Sequence, residues 1–196
     1  PPLYIALVGF HFEMIPFELI TLVKSSIEGV PFLPFHEALF MAVTVELIRE
    51  AGIRLPSPIG ETIGIVGGLI IGDAVINAGL VSNVMVIVIA LTAIMSYTVS
   101  SYEMGNTVRI LNFPIMIAAA LFGFVGIVLS VLFIVIHLCK MESFKMPYLS
   151  PVAPIQIGNL GDTFIRLPIK YMRKRPVSVR AQKNKRLGKI SKWSHD

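Results

Sequence analysis

Charge is scarce in this sequence and cysteine scarcer still: charged residues make up 15% of the 196, and Cys139 is the one cysteine. No disulfide can form within the chain, and cysteine usage carries no signal of redox compartment. The beginning lacks an initiator Met and the basic stretch that precedes the apolar core of a secretory leader; "PPLYIALVGF" opens inside an apolar run instead. That start predicts a piece of a longer chain, with the beginning of its first span missing. Enzyme signatures fail at identifiable positions. "HEALF" has Phe40 where a zinc-binding HExxH helix needs its second His, and "IIGD" at Ile70–Asp73 lacks the first Gly of the intramembrane aspartyl protease pattern. There is no GxSxG elbow and no Walker A loop, and His11, His36, His137 and His195 are scattered. These absences point away from an enzyme: no catalytic residue, metal ligand or cofactor is predicted.

What the chain has in abundance is apolar surface. Hydrophobic residues are 55% of it and the mean hydropathy is +0.77, outside the range of ordinary soluble domains. An integral membrane protein is predicted. Its charges are unevenly placed: nine acids face four bases before Lys140, whereas thirteen bases face three acids from Lys140 onward. A basic end after the last apolar segment belongs on the cytoplasmic side by the positive-inside rule, and favours anionic lipid. Nucleic acid is the weaker reading for that tail, because only a short spacer separates it from a membrane span.

The predicted fold class is all-α, a polytopic helical membrane protein with amphipathic interfacial helices and an irregular basic C-terminal tail. Residues 1–140 form the membrane domain, with spans near 1–10 (truncated), 59–79, 82–98 and 108–138 and amphipathic segments at 13–28 and 36–54. Residues 141–172 read as an irregular Pro/Gly-rich, membrane-proximal segment and 173–196 as the basic cytoplasmic tail. An unbroken helix from Val108 to Leu138 would be roughly 46 Å long against a hydrocarbon core of about 30 Å. Either it starts in the interface near Arg109 and enters the core near Pro114, or it bends near Gly123 and Gly126 into two short spans. The first is preferred, because halves of about 15 residues are too short to cross.

Two segments carry the chemistry. In "FHEALFMAVTVELIREAGIRLPSP", Glu46 and Arg49 stand at i,i+3 and Glu50 and Arg54 at i,i+4, so the four form a charged helix network that can neutralise itself. Such a helix is expected at the interface, its charged face toward protein or water. In "IGETIGIVGGLIIGDAVINAG", Gly60, Gly64, Gly68 and Gly72 recur every fourth residue. Small residues at that spacing let a neighbouring backbone approach closely, within the chain or between copies. Glu61, Asp73 and Asn77 on the same segment are candidate pore or ion-path groups, since ionisable residues in a membrane helix are functional suspects and rings of carboxylates favour cations. The short "AGLVSN" joint predicts an antiparallel hairpin of this helix with "VSNVMVIVIALTAIMSYTV".

The runs "ELIREAGIRLP", "PIG", "IVGGLIIG", "AGLVS" and "VIVIALTAI", followed by "SFKMPYLSPVAP" and "IRLPIK", resemble the membrane domain of the GerA family, the A subunits of bacterial spore germinant receptors. The resemblance extends from about Tyr4 to about Pro176. It implies residence in the spore inner membrane, a separate cytoplasmic N-terminal domain, and assembly with a transporter-like B subunit and a lipoprotein C subunit. It further implies a homo-oligomer, a pentamer, forming a nutrient-gated cation channel that triggers germination. "FHFEMIP" is also similar to the SpoVA-operon paralogue of the family, which amplifies germination. Asp73 departs from the Gln or Glu more usual in the family. A non-conducting scaffold or accessory protein is the alternative function.

Overall fold

The computed structural model describes residues 1–155, save the side chains of Ser57, Pro58 and Glu61. The predicted basic tail and residues 156–172 of the segment before it lie outside the described residues. The described chain is mostly helical: α1 (Pro2–Phe10), a 3-10 turn (Phe12–Met14), α2 (Phe17–Ile27), α3 (Pro34–Arg54), α4 (Ser57–Asn77), α5 (Asn83–Ser96) and α6 (Tyr102–Lys140). It divides into two compact units, Pro1–Val131 and Leu132–Asp196.

In the first unit the helix boundaries follow proline, glycine and serine. Pro34 opens α3 at a position whose N–H the helix does not use. Leu55, held extended at φ −92° and ψ 154° ahead of Pro56, ends it. Gly79 closes α4 with φ 65°; its N–H reaches the Ile76 carbonyl while the Leu80 N–H reaches that of Val75, a Schellman ending. Ser82 then caps α5, its Oγ accepting from the Met85 N–H at 3.3 Å.

The central element is α3, packed against α1, α4 and α5. The hairpin predicted for α4 and α5 is not what forms: both helices pack on α3 and scarcely touch each other. The two-residue joint Leu55–Pro56 folds α4 directly back along α3, bringing Gly60 onto Gly52, so α4's closest face is already used. The core is correspondingly small, drawing Tyr4, Ile5 and Ala6 from α1, Ala38 and Met41 from α3, Met85 and Ile89 from α5, and Met116 and Ala119 from α6. Large apolar side chains are instead on the outside, as with Phe17 at 79% and Leu69 at 73% exposure.

Helix α6 does not run on past Gly123, as the preferred sequence reading expected. Gly123 takes φ 60° and ψ −136°, a conformation open essentially only to glycine, and splits the helix into limbs 102–122 and 124–140. The turn is sharp enough that a Cβ on Gly126 would collide with the Ala118 carbonyl oxygen. Pro114 lies within the first limb without breaking it. Counted over its whole length, Tyr102–Lys140, α6 is the one helix among the described residues long and apolar enough to cross a membrane, and the break at Gly123 divides that length; the apolar stretches Thr62–Asn77 and Asn83–Ser96 are shorter.

In the second unit, the chain after α6 forms a small antiparallel ladder, β1 (Glu142–Ser143) with β2 (Met146–Pro147). Phe144 and Lys145 make its turn at φ 52° and 61°.

Candidate functional site

Two polar clusters sit inside the first unit. At the start of α3, Glu37 is buried to 1% exposure, and its Oε2 accepts the Ser82 backbone N–H at 2.8 Å. The carboxylate thus meets the N-terminus of α5, where unpaired N–H groups and the helix dipole favour negative charge. Its other oxygen, Oε1, has no hydrogen-bond partner among the described residues. Glu37 pins α3 to α5 across 45 residues of sequence.

The second cluster lies near the other end of α3. Arg49 donates from Nη1 to Glu46 Oε1 at 3.1 Å and from Nη2 to Ser96 Oγ on α5 at 3.3 Å, and its guanidinium stands 5.0 Å from the Tyr97 ring centroid. A second arginine joins from α6: Arg109 Nη1 lies 3.8 Å from Glu46 Oε2, while its Nε donates to the Gly105 carbonyl at 3.0 Å. Both arginine side chains are largely buried, at 9% and 14% exposure, while Glu46 stays about one-third exposed. Two guanidiniums therefore share one carboxylate. Glu50 and Arg54 pair at 2.6 Å on the exposed face, apart from this cluster.

The arginines border a cleft of about 790 Å³ between α4 and α5, walled by Gly64 and Gly68 on one side and Ser96 and Tyr97 on the other. It occupies the space where the two helices were expected to touch. The glycine register is divided accordingly. Gly60 is pressed onto α3, where a Cβ would come within 2.5 Å of the Gly52 carbonyl oxygen, and Gly67 faces the Ile48 side chain. Gly64, Gly68 and Gly72 have nothing within 4 Å of an added Cβ.

Asp73 and Asn77 are exposed on α4, and the Glu61 side chain is outside the described residues. At about 100° per residue, Asp73 falls about 220° round the helix from Gly60, on the face turned away from α3, with Asn77 about 40° further on. Glu61 falls about 120° from Asp73, so the two do not share a line. Sequence reading paired Arg49 with Glu46 but missed Arg109, Glu37 and Ser82. Arg109 carried a signal, being the only base between Arg54 and Lys140. Glu37 carried none beyond a failed zinc motif. Among the described residues no group of three or more His, Cys, Asp or Glu side chains could hold a metal.

Helices with an apolar exterior, a small core and an arginine-rich polar cluster define an all-helical domain suited to a nonpolar surrounding or a partner. The match to known proteins specifies it further. The family model for the Bacillus/Clostridium GerA spore germination protein matches residues 1–178, and the chain belongs to that family. It is 45% identical over 181 residues to spore germination protein GerQA of Bacillus cereus, covering 92% of this chain and 36% of that protein. Against spore germination protein A1 of Bacillus subtilis (strain 168) it is 48% identical over 168 residues, covering 86% and 35%. It is also 42% identical over 176 residues, covering 90% and 34%, to a B. subtilis protein described as the uncharacterized membrane protein YfkQ. The chain thus spans about a third of the length of these relatives. No solved structure matches.

Proposed function

We propose that this chain is the multi-pass membrane part of a spore germinant receptor subunit, and that copies of it assemble around an axis into a nutrient-gated cation channel that triggers germination. The observation that carries the reading is family membership over residues 1–178. The outward-facing apolar side chains support it, since patches of that size on a soluble monomer would aggregate. Residence in the spore inner membrane, a pentameric homo-oligomer, B and C partner subunits and a cytoplasmic C-terminus whose basic tail meets anionic lipid belong to the same proposal.

Within that assembly the exposed face of α4 is the candidate pore lining. Asp73 and Asn77 lie on it, away from the face that packs on α3. Copies repeated about an axis would place the Asp73 carboxylates in a ring that attracts cations. Contact between copies would then use Gly72 and exposed neighbours such as Leu69, because Gly60 and Gly67 are already packed within the chain.

Passive potassium flux through the full-length subunit in liposomes, with its partner subunits and nutrient present, tests this. Asp73→Asn is expected to leave the oligomer intact and lower cation over anion preference. A folded oligomer that passes no ions would favour a non-conducting scaffold or germination-amplifying accessory protein. Slow flux coupled to a second solute would favour a transporter.

A further inference from the structure

Among the described residues, burying two arginines against one carboxylate leaves a positive charge uncompensated in a region of low dielectric, which is costly unless an anion joins it. Arg49 shows the need directly: its side chain is nine-tenths buried, it borders the cleft, and its Nε has no hydrogen-bond partner among the described residues. Paired guanidiniums present planar forks of N–H donors that match a phosphate or carboxylate. The other described polar residues lining the cleft, Ser96, Tyr97, Ser101 and Tyr102, are neutral and add no negative charge.

The rest of the cleft suits a different chemistry. Its volume, about 790 Å³, is in the range of sites for organic ligands of about 300–1,000 Å³ and far exceeds an inorganic anion. Beyond the arginines its wall is apolar: Val45, Ile48 and Ile53 of α3, and Gly64 and Gly68 of α4, bare backbone with room above it, continuous with the exposed Ile65 and Leu69. One end is cationic and the other an open apolar trough.

We propose that this cleft binds an anionic phospholipid, with Arg49 and Arg109 on the headgroup phosphate and one acyl chain laid along Gly64 and Gly68. The proposal rests on the membrane placement above but not on channel activity. A lipid so placed fills the gap between α4 and α5 and ties α6 to α3 through its phosphate. The cleft is distinct from the Asp73 face of α4.

The test is native mass spectrometry of the full-length subunit in neutral detergent, titrated with phosphatidylglycerol, phosphatidylcholine or inorganic phosphate. Wild type is expected to retain phosphatidylglycerol about tenfold more tightly than phosphatidylcholine, the size of one charge-assisted contact. Arg109→Gln should abolish that preference, and Arg109→Lys should restore part of it. Gly68→Leu, where a Cβ meets only open space, should weaken retention of phosphatidylglycerol by filling the trough, with an unchanged thermal unfolding midpoint as the check that the fold is kept. Equal retention of the two lipids by wild type, or an unchanged preference in Arg109→Gln, would overturn the site. Displacement of phosphatidylglycerol by millimolar inorganic phosphate would show a free-anion site instead. Loss of the oligomer in Gly68→Leu with lipid retention unchanged would show that a second copy fills the cleft. Liposome flotation separates the underlying reading: a chain that fails to enter neutral vesicles refutes the membrane placement, while one that enters without preferring phosphatidylglycerol refutes only the lipid site.

Discussion

Glu37 is the residue on which the arrangement of helices depends most directly. A carboxylate at 1% exposure is stable only when its neighbours compensate it, and here the Ser82 N–H and the start of α5 do so. Removing it leaves that N–H buried and unpaired, at a cost of about 1–3 kcal/mol before any cavity is counted. Glu37→Ala should therefore lower the thermal unfolding midpoint of the full-length subunit in detergent by several degrees. Glu37→Gln keeps an acceptor for the same N–H and should lose less than half as much. Equal losses in the two variants would mean that side-chain volume, not the hydrogen bond to Ser82, holds α3 to α5. The contrasting position is Glu50, whose pairing with Arg54 on the exposed face is worth little at a water-facing surface.

At the scale of elements, glycine plays opposite roles at positions that look alike in sequence. Gly60 and Gly126 lie where a Cβ would strike the backbone of Gly52 and Ala118, and Gly123 adds a positive φ with Phe10 packed against it at 3.0 Å from a built Cβ. Gly64 and Gly72 meet nothing. Alanine at Gly123 should cost about 1–3 kcal/mol from backbone strain alone. Alanine at Gly64 or Gly72 should be neutral or gain up to about 1 kcal/mol from helix propensity. Thermal unfolding of the five alanine variants should sort into these two groups, and destabilisation at Gly64 equal to that at Gly60 would break the division. The sequence showed four equivalent glycines because periodicity reports which residues share a helix face, not which face finds a neighbour. The same limit explains the other differences. Pro34 and Pro56 bound α3 because the chemistry of helix ends is local. The central place of α3 was hidden because its inward Glu37 and Arg49 find partners 45 and 47 residues away, beyond the reach of any helical spacing. Arg109 lies 63 residues beyond Glu46 and was invisible to i,i+4 logic for the same reason. The break at Gly123 was visible as an alternative and was set aside on span length, which a reversal of the chain does not respect.

At the scale of the whole molecule, the decisive feature is how few of the described apolar side chains are buried: a small core around Met85 and Met116 holds the helices while large residues such as Phe17 and Leu69 stay outside. Water gives no reason for that exterior; the proposed bilayer setting would, because packing, not hydrophobic burial, then holds the helices together. In the proposed membrane placement the basic residues that follow α6 would set the direction of insertion, since Lys and Arg near a span resist transfer across the membrane. Cys139, exposed near the end of α6 and next to Lys140, reports on this side without an engineered label. A membrane-impermeant maleimide should modify it in inside-out vesicles and not in intact right-side-out ones, with Cys139→Ser as the control for any cysteine elsewhere in the full-length subunit. Labelling only from the outer face would reverse the orientation. The thirteen bases from Lys140 onward would then sit where no anionic cytoplasmic leaflet could hold them, and the charge asymmetry of the sequence would need a partner protein rather than lipid to account for it.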